Sequence, residues 1–284
     1  MLAPDWKDYK ILGTGGGLKL EKWGDIVLLR PDPQAIWEPT VDYKSFDTHA
    51  RYERDRAGGG RWIVNKPMPE EWKISWREYT FSIKPTGFKH TGLFPEQAVN
   101  WDILSGIVKT AAQKNKKIKI LNLFAYTGAS TAVLAKSGAA VTHVDAAKSM
   151  VERAGLNCTL NSVPRENTRF IIDDCKKFVL REIKRGKTYN AVIMDPPSYG
   201  RGASGEVWKM EDDIYELVAL TARLLENPEF FLINSYTTGL QPQTIENLLT
   251  LNLKGGKTTS YEVCLPTECK IALPCGCSGL WRSA

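Results

Sequence analysis

The chain has 284 residues, 43% of them hydrophobic and 25% charged, with a formal net charge of +6. That balance excludes a disordered or low-complexity chain, and the length allows one large domain or one large and one small. No leader-like start and no apolar run near the ~20 residues a bilayer requires are present. Six scattered cysteines do not form a secreted disulfide framework, so the expectation is a soluble, cytoplasmic protein with reduced thiols.

The isoelectric point near 8.9 suits a polyanionic partner without requiring one. Residues 1–88 are expected to form a small β-rich module. Leu18 to Lys22 and Asp25 to Arg30 should pair as a hairpin around Trp23-Gly24, ahead of a turn at Pro31-Asp-Pro33. Gly13-Thr-Gly-Gly-Gly17 runs into a strand-like segment and so fails the context of a phosphate loop. Six of the nine tryptophans (Trp6, Trp23, Trp37, Trp62, Trp72 and Trp76) lie here. They form either the module's own core or a platform for stacking nucleobases. Arg51, Arg54, Arg56 and Arg61, with Tyr52 and Trp62, likewise read as a nucleic-acid patch or as a solvated loop alternating with Glu53 and Asp55. The module's role is either RNA binding or that of a lid.

Residues 89–284 are expected to form the second domain. After Lys89 to Gln97, Ala98 to Val108 has helical spacing. Ile118 to Phe124 then reads as a strand, Ala125 to Gly128 as a compact loop, Ala129 to Lys136 as a helix, and Ala139 to Val144 as a strand ending on Asp145. In a doubly wound sheet the ligand sits beyond the carboxyl ends of the strands. Gly128 lets backbone approach it, and Asp145, 17 residues further on, stands near the ~20 at which an acid meets a ribose diol. Phe124, Tyr126 and Thr127 crowd the loop where a pyrophosphate would need glycines. S-adenosylmethionine, with ribose and adenine but no phosphate, fits better.

A helix over Ala146 to Cys158 and a strand over Thr168 to Ile172 lead to Asp173-Asp174-Cys175, where Asp173 is a candidate helix cap. Tyr189 to Met194 is a fourth strand, ending in Asp195-Pro196-Pro197-Ser198-Tyr199, whose prolines make a rigid bend suited to orienting a planar acceptor. A fifth strand precedes Asn234-Ser235-Tyr236-Thr237, and the last two strands are expected at Thr258 to Cys264 and Cys269 to Pro274. Cys264, Cys269, Cys275 and Cys277 lack paired C-x2-C spacing. No metal is expected, and these thiols should pack as small hydrophobes.

The motifs Asn122 to Gly128, Val144-Asp145, Asp173 to Cys175 and Ile193 to Tyr199 together resemble the class I methyltransferases. More narrowly they resemble the large-subunit ribosomal RNA methyltransferases of the cytosine-5 group and their cysteine-less, guanine-modifying relatives. The resemblance runs from about Lys89 to the C-terminus. It implies a seven-stranded doubly wound α/β sheet and S-adenosylmethionine held by the loop residues Asn122, Phe124, Ala125, Tyr126, Thr127 and Gly128. Asp145 and Ala146 would lie at the ribose, with Asp174 and the Cys175 backbone at the adenine. Phe94 and Gln97 match a segment that holds the methionine end, although Ala98 replaces that family's usual Arg. Asp195, Pro196, Pro197 and Tyr199 correspond to a D-P-P-Y/F set that accepts a hydrogen from a target nitrogen and stacks on its base.

A cytosine C5 needs a thiolate to add at C6 first, yet no cysteine follows the fifth strand. Cys277, in Gly-Cys-Ser-Gly, looks like the motif but stands at the other end of the domain. A nitrogen or oxygen of an RNA base, ribosomal by resemblance, is therefore the expected acceptor. The alternatives are a small-molecule or protein acceptor, and an RNA-binding module that has lost catalysis.

Overall fold

The computed structural model describes residues 1–55, 59–201 and 207–284. Of the arginine patch expected from the sequence, Arg56 lies outside the described residues. The chain divides into two compact units, Met1–Val99 with Val263–Cys275, and Asn100–Glu262 with Gly276–Ala284. The boundary expected at 88/89 falls inside the first of these.

In the first unit, β1 (Tyr9–Gly15), β2 (Leu18–Trp23), β3 (Ile26–Pro31), β4 (Ala50–Arg54) and β5 (Gly60–Val64) form a five-stranded sheet in that order. A separate hairpin joins β6 (Trp72–Trp76) to β7 (Tyr79–Ile83). The expected hairpin is β2–β3, with Trp23 opposite Ile26. The tryptophans are framework. Trp23 and Trp76 are fully buried, and the indole N–H groups of Trp6, Trp62, Trp72 and Trp76 donate to backbone carbonyls of Pro95, Thr86, Trp23 and Pro4. Exposed Arg51 pairs with exposed Glu53 at 2.8 Å, as in the solvated-loop alternative. A buried Arg30 grips buried Glu21 through Nε and an Nη and donates its other Nη to the Lys89 carbonyl at 2.9 Å. Burial pushes the Glu21 carboxyl up, but the Arg30 and Lys19 charges outweigh it and hold it at about 2. The late residues belong to this unit because Ala3 donates to the Cys264 carbonyl and Glu268 to that of Ile11.

The second unit carries a seven-stranded sheet. It is built from β8 (Lys119–Leu123), β9 (Ala140–Asp145), β10 (Thr168–Ile172), β11 (Tyr189–Met194), β14 (Leu225–Ser235), β15 (Gly256–Pro266) and β16 (Ala272–Ser283). A short hairpin of β12 (Tyr199–Arg201) and β13 (Val207–Lys209) interrupts the numbering. The order is β10-β9-β8-β11-β14-β16-β15, with β16 antiparallel to β14. The doubly wound sheet and the β-rich N-terminal module are thus both present.

Its strands are apolar on both faces, as a sheet covered by helices on each side must be. Leu121, Leu123, Val192, Met194, Phe231 and Ile233 share one core with α4 (Cys175–Lys184), α5 (Met210–Ala222) and α6 (Pro242–Asn252). The alternate residues Ile120, Ala191, Ile193, Phe230 and Leu232 share another with α1 (Ala98–Gln113) and α2 (Ala129–Lys136). Each such fully buried large side chain contributes roughly 1.5–3 kcal/mol. The remaining helix, α3 (Lys148–Leu160), starts two residues later than expected. The last strand begins at Ala272, beyond its expected start at Cys269, because Thr267 to Ile271 closes a turn in which the Thr267 hydroxyl bonds the Ile271 backbone.

Candidate active site

The strand order reverses between β8 and β11, so the carboxyl ends of these strands open the crevice in which doubly wound sheets bind ligands. The loop after β8 carries Phe124, Tyr126 and Gly128 at φ of 53°, 51° and 74°. Left-handed geometry costs a non-glycine residue about 1–2 kcal/mol, so two such residues in five mark a loop held in place by its surroundings. At Gly128 a Cβ would come within 2.5 Å of the Ala154 methyl, so only glycine lets the loop lie on α3. Buried Asn157 donates to the Thr127 carbonyl at 2.8 Å and fixes the same turn.

Asp145 closes this loop. Its Oδ2 accepts the Tyr126 N–H at 2.8 Å and its Oδ1 the Ala147 N–H at 2.9 Å. Burial raises its pKa above the ordinary 3.8, against the pull of those two donors. A carboxylate offers about four acceptor positions, so two remain, the number a vicinal diol needs. The carboxyl is partly exposed, and Ala146 beside it is exposed. These observations fit a nucleoside ligand.

The other predicted residues divide. Asn122 is buried and donates its amide to Thr131, whose hydroxyl meets His143 Nδ1 at 3.0 Å. It therefore braces the loop from beneath. Ala125 bonds the Val144 carbonyl at 3.1 Å. Asp174, not Asp173, caps α4, accepting the Lys177 N–H at 2.8 Å, while Asp173 pairs with Arg181. Cys175 opens that helix, so its N–H has no intrahelical partner. Its buried sulfur accepts the Phe124 N–H at 3.3 Å, and burial pushes the thiol up. Phe94 and Gln97 lie in the first unit, Phe94 preceding and Gln97 ending the turn Pro95–Gln97 that leads into α1, where Ala98 is fully buried.

At the end of β11, Asp195 Oδ1 accepts the Asn234 side-chain N–H at 2.9 Å. Pro196 is buried, whereas Pro197 and Tyr199 are exposed. Ser198, the residue that separates the prolines from Tyr199, accepts the Thr237 hydroxyl at 2.8 Å and the Met210 N–H on its carbonyl. That residue therefore ties the bend to the end of β14, and Tyr199 begins the β12–β13 hairpin. Trp208 was not foreseen. Its indole donates to the Pro197 carbonyl at 2.7 Å and its ring lies 5.1 Å from Phe124, linking the two loops. In the sequence Asn234 stands only as the first residue of the cysteine-less segment Asn234-Ser235-Tyr236-Thr237, and a polar residue at a buried strand end is the signal that marks it.

Cys277 is not remote. Antiparallel pairing sets it opposite Ser235 at the carboxyl end of β14. Its thiol nevertheless donates to the Leu240 carbonyl, and burial raises its pKa, which makes it a poor thiolate. Among the described residues no three His, Cys, Asp or Glu side chains gather as a metal site, and no helix is long and apolar enough to cross a membrane.

Residues 36–225 match the sequence profile of the S-adenosylmethionine-dependent methyltransferases. The chain belongs to that family. A crystal structure of the S-adenosylmethionine-dependent methyltransferase from Agrobacterium tumefaciens superposes with a TM-score of 0.92 at 32% identity, covering 100% of this chain and 93% of that one. Ribosomal RNA large subunit methyltransferase K/L of Shewanella baltica is 28% identical over 192 residues, 67% of this chain and 25% of its own length. Ribosomal RNA large subunit methyltransferase I of Tolumonas auensis is 29% identical over 209 residues, 73% of this chain and 50% of its own length. The chain thus spans a quarter to a half of these curated relatives.

Proposed function

We propose that this methyltransferase acts in the cytoplasm on a nitrogen of an RNA base, a ribosomal RNA base in the first instance, and without a covalent cysteine intermediate. The observation that carries the reading is the Asp195-Pro-Pro bend. Its carboxylate is pinned by Asn234, beside a loop that offers a diol acceptor, and Cys277, the thiol that strand register brings to this edge, is buried and held protonated. The ribosomal acceptor is supported by the names of the curated relatives and by the net charge of +6.

The cofactor would be held at its ribose by Asp145 with Ala146, at its adenine by Asp174 and the Cys175 N–H, and around its sulfonium by Phe124 to Gly128. When bound it supplies an electrophilic methyl group for in-line transfer. The chain's own part is positioning. Asp195 accepts a hydrogen of the target nitrogen, Pro196 and Pro197 fix the plane in which the base lies, and Tyr199 offers it a stacking face. A base in a duplex would have to leave its stack to reach this edge.

The test is transfer of tritiated methyl from S-adenosylmethionine to unmodified large-subunit ribosomal RNA made by transcription, with the product nucleoside identified by mass spectrometry. An N-methylated nucleoside, lost in Asp195→Ala, is the expected result. A C5-methylated pyrimidine, or label confined to protein or small molecules, would overturn it.

A further inference from the structure

Four buried or half-buried polar side chains from four separate elements line up behind Asp195. The Tyr261 hydroxyl on β15 donates to Asn100 Oδ1 on α1 at 2.7 Å, and Asn100 Nδ2 donates to Ser278 Oγ on β16 at 3.0 Å. Ser278 Oγ donates to Asn234 Oδ1 on β14 at 2.8 Å, and Asn234 Nδ2 donates to Asp195 Oδ1 at 2.9 Å. Asn100 and Asn234 are each 1% exposed and Ser278 is 0% exposed.

We propose that Asn234 is the positioning residue for Asp195, and that Ser278, Asn100 and Tyr261 form a one-way chain that keeps its amide N–H turned toward the carboxylate. This rests on the reading of Asp195 given above for its purpose, though not for its geometry. The direction follows from donor and acceptor inventories alone. An ionised carboxylate only accepts, so Asn234 must present Nδ2 to it and Oδ1 to Ser278. Ser278 must then donate its single hydrogen to Asn234 and accept from Asn100. Asn100 therefore turns its Nδ2 to Ser278 and its Oδ1 to Tyr261, whose hydroxyl donates. Each of these four hydrogen bonds donates toward Asp195, and turning Asn234 over would set its amide oxygen against the carboxylate.

Strand register supplies the central link. Asn234 and Ser278 are direct partners on antiparallel β14 and β16. The sequence Gly276-Cys277-Ser278-Gly279 thus places a hydroxyl, not its thiol, in line with the carboxylate. Gly276 permits the close approach, since a Cβ there would meet the Ser235 carbonyl oxygen at 2.6 Å. For methyl transfer the consequence is orientational. The Asn234 N–H on Oδ1 fixes the plane of the Asp195 carboxylate, and with it the direction from which a methyl acceptor is met.

The chain can be tested on the protein alone by carbon-13 NMR titration of the carboxyl groups, the Asp195 signal being identified by its loss in Asp195→Asn. Asp145, Asp174 and Cys175, on the far side of β8, stay in place in every variant, as does Tyr261 except where it is itself replaced. Asn234→Leu should raise the Asp195 midpoint by about one pH unit, the equivalent of one hydrogen bond to a charged group. Ser278→Ala, which leaves Asn234 present but free to turn, should raise it less, and Tyr261→Phe least. If Asn234→Leu fails to fold, the milder Ser278→Ala carries the test. Midpoints equal to wild type in Asn234→Leu or Ser278→Ala, with only the melting temperature lowered, would reduce the chain to packing and overturn the proposal. With RNA as acceptor, Ser278→Ala should lower kcat severalfold with KM for S-adenosylmethionine unchanged, and an unchanged kcat would also overturn it. Absence of methyl transfer to RNA by the wild-type protein would sink the reading of Asp195 as acceptor-facing, and the titration would still decide the chain.

Discussion

Two carboxylates stand at the carboxyl ends of the parallel strands β9 and β11, and different groups hold them. Asp145, at the end of β9, is fixed by backbone N–H groups of Tyr126 and Ala147, within 19 residues of it in sequence. Asp195, just past the end of β11, is fixed by a side chain 39 residues away, itself braced by Ser278 and, beyond it, Asn100 and Tyr261. Backbone donors come with the turn and tolerate changes of side chain. A side-chain relay depends on each of its members, so the two acids should differ in how their surroundings can be broken.

The largest expected effect is at the side-chain-held acid. Asp195→Ala should cost about 10³-fold in kcat, within the range for removal of a group that handles a proton at the reacting atom, while calorimetric affinity for S-adenosylmethionine stays within twofold. A parallel loss of both would show that the two acids serve one function and dissolve the contrast. Next is Asp145→Ala, expected to weaken S-adenosylmethionine binding about 100-fold, near 3 kcal/mol for two hydrogen bonds to a charged acceptor. Retained affinity would remove Asp145 from the ribose site.

Gly128→Ala probes the backbone side of the comparison. Strain at φ 74° and the collision with Ala154 should destabilise the protein by about 2 kcal/mol, read in urea unfolding. No change would mean that the loop is adaptable. The smallest effect is one of pH. The raised pKa of Asp145 means the folded state keeps its proton at pH values where the unfolded chain has lost it. Stability of the ligand-free protein therefore falls as pH rises from 3.8 through the folded pKa, and cofactor affinity should move the opposite way, falling as pH drops through that same value. Affinity that is flat with pH down to the ordinary carboxylate range would contradict it.

Much of the frame was legible along the chain. The strands Thr168 to Ile172 and Tyr189 to Met194 and the helix Ala129 to Lys136 end where expected, because short runs rich in β-branched and aromatic residues and a glycine at a left-handed turn leave local marks. The cap of α4 is Asp174, one residue from the candidate, since Arg181, eight residues on, claims Asp173. Sequence distance misled most at Cys277, which is remote in number yet paired with Ser235. Nor could spacing reveal Trp208, whose contacts to Pro197 and Phe124 exist only after the hairpin folds back.

The sequence by itself determined the doubly wound sheet, the cofactor class and the loop with its acid at Asp145, because each rests on periodicity, on turn chemistry or on motifs within some twenty residues. Only the tertiary structure decided which groups hold Asp195, which thiol reaches the edge of the sheet and which end of the chain joins which unit. Those depend on antiparallel register and on side chains brought together across 161 residues between Asn100 and Tyr261, a pairing that no local pattern encodes.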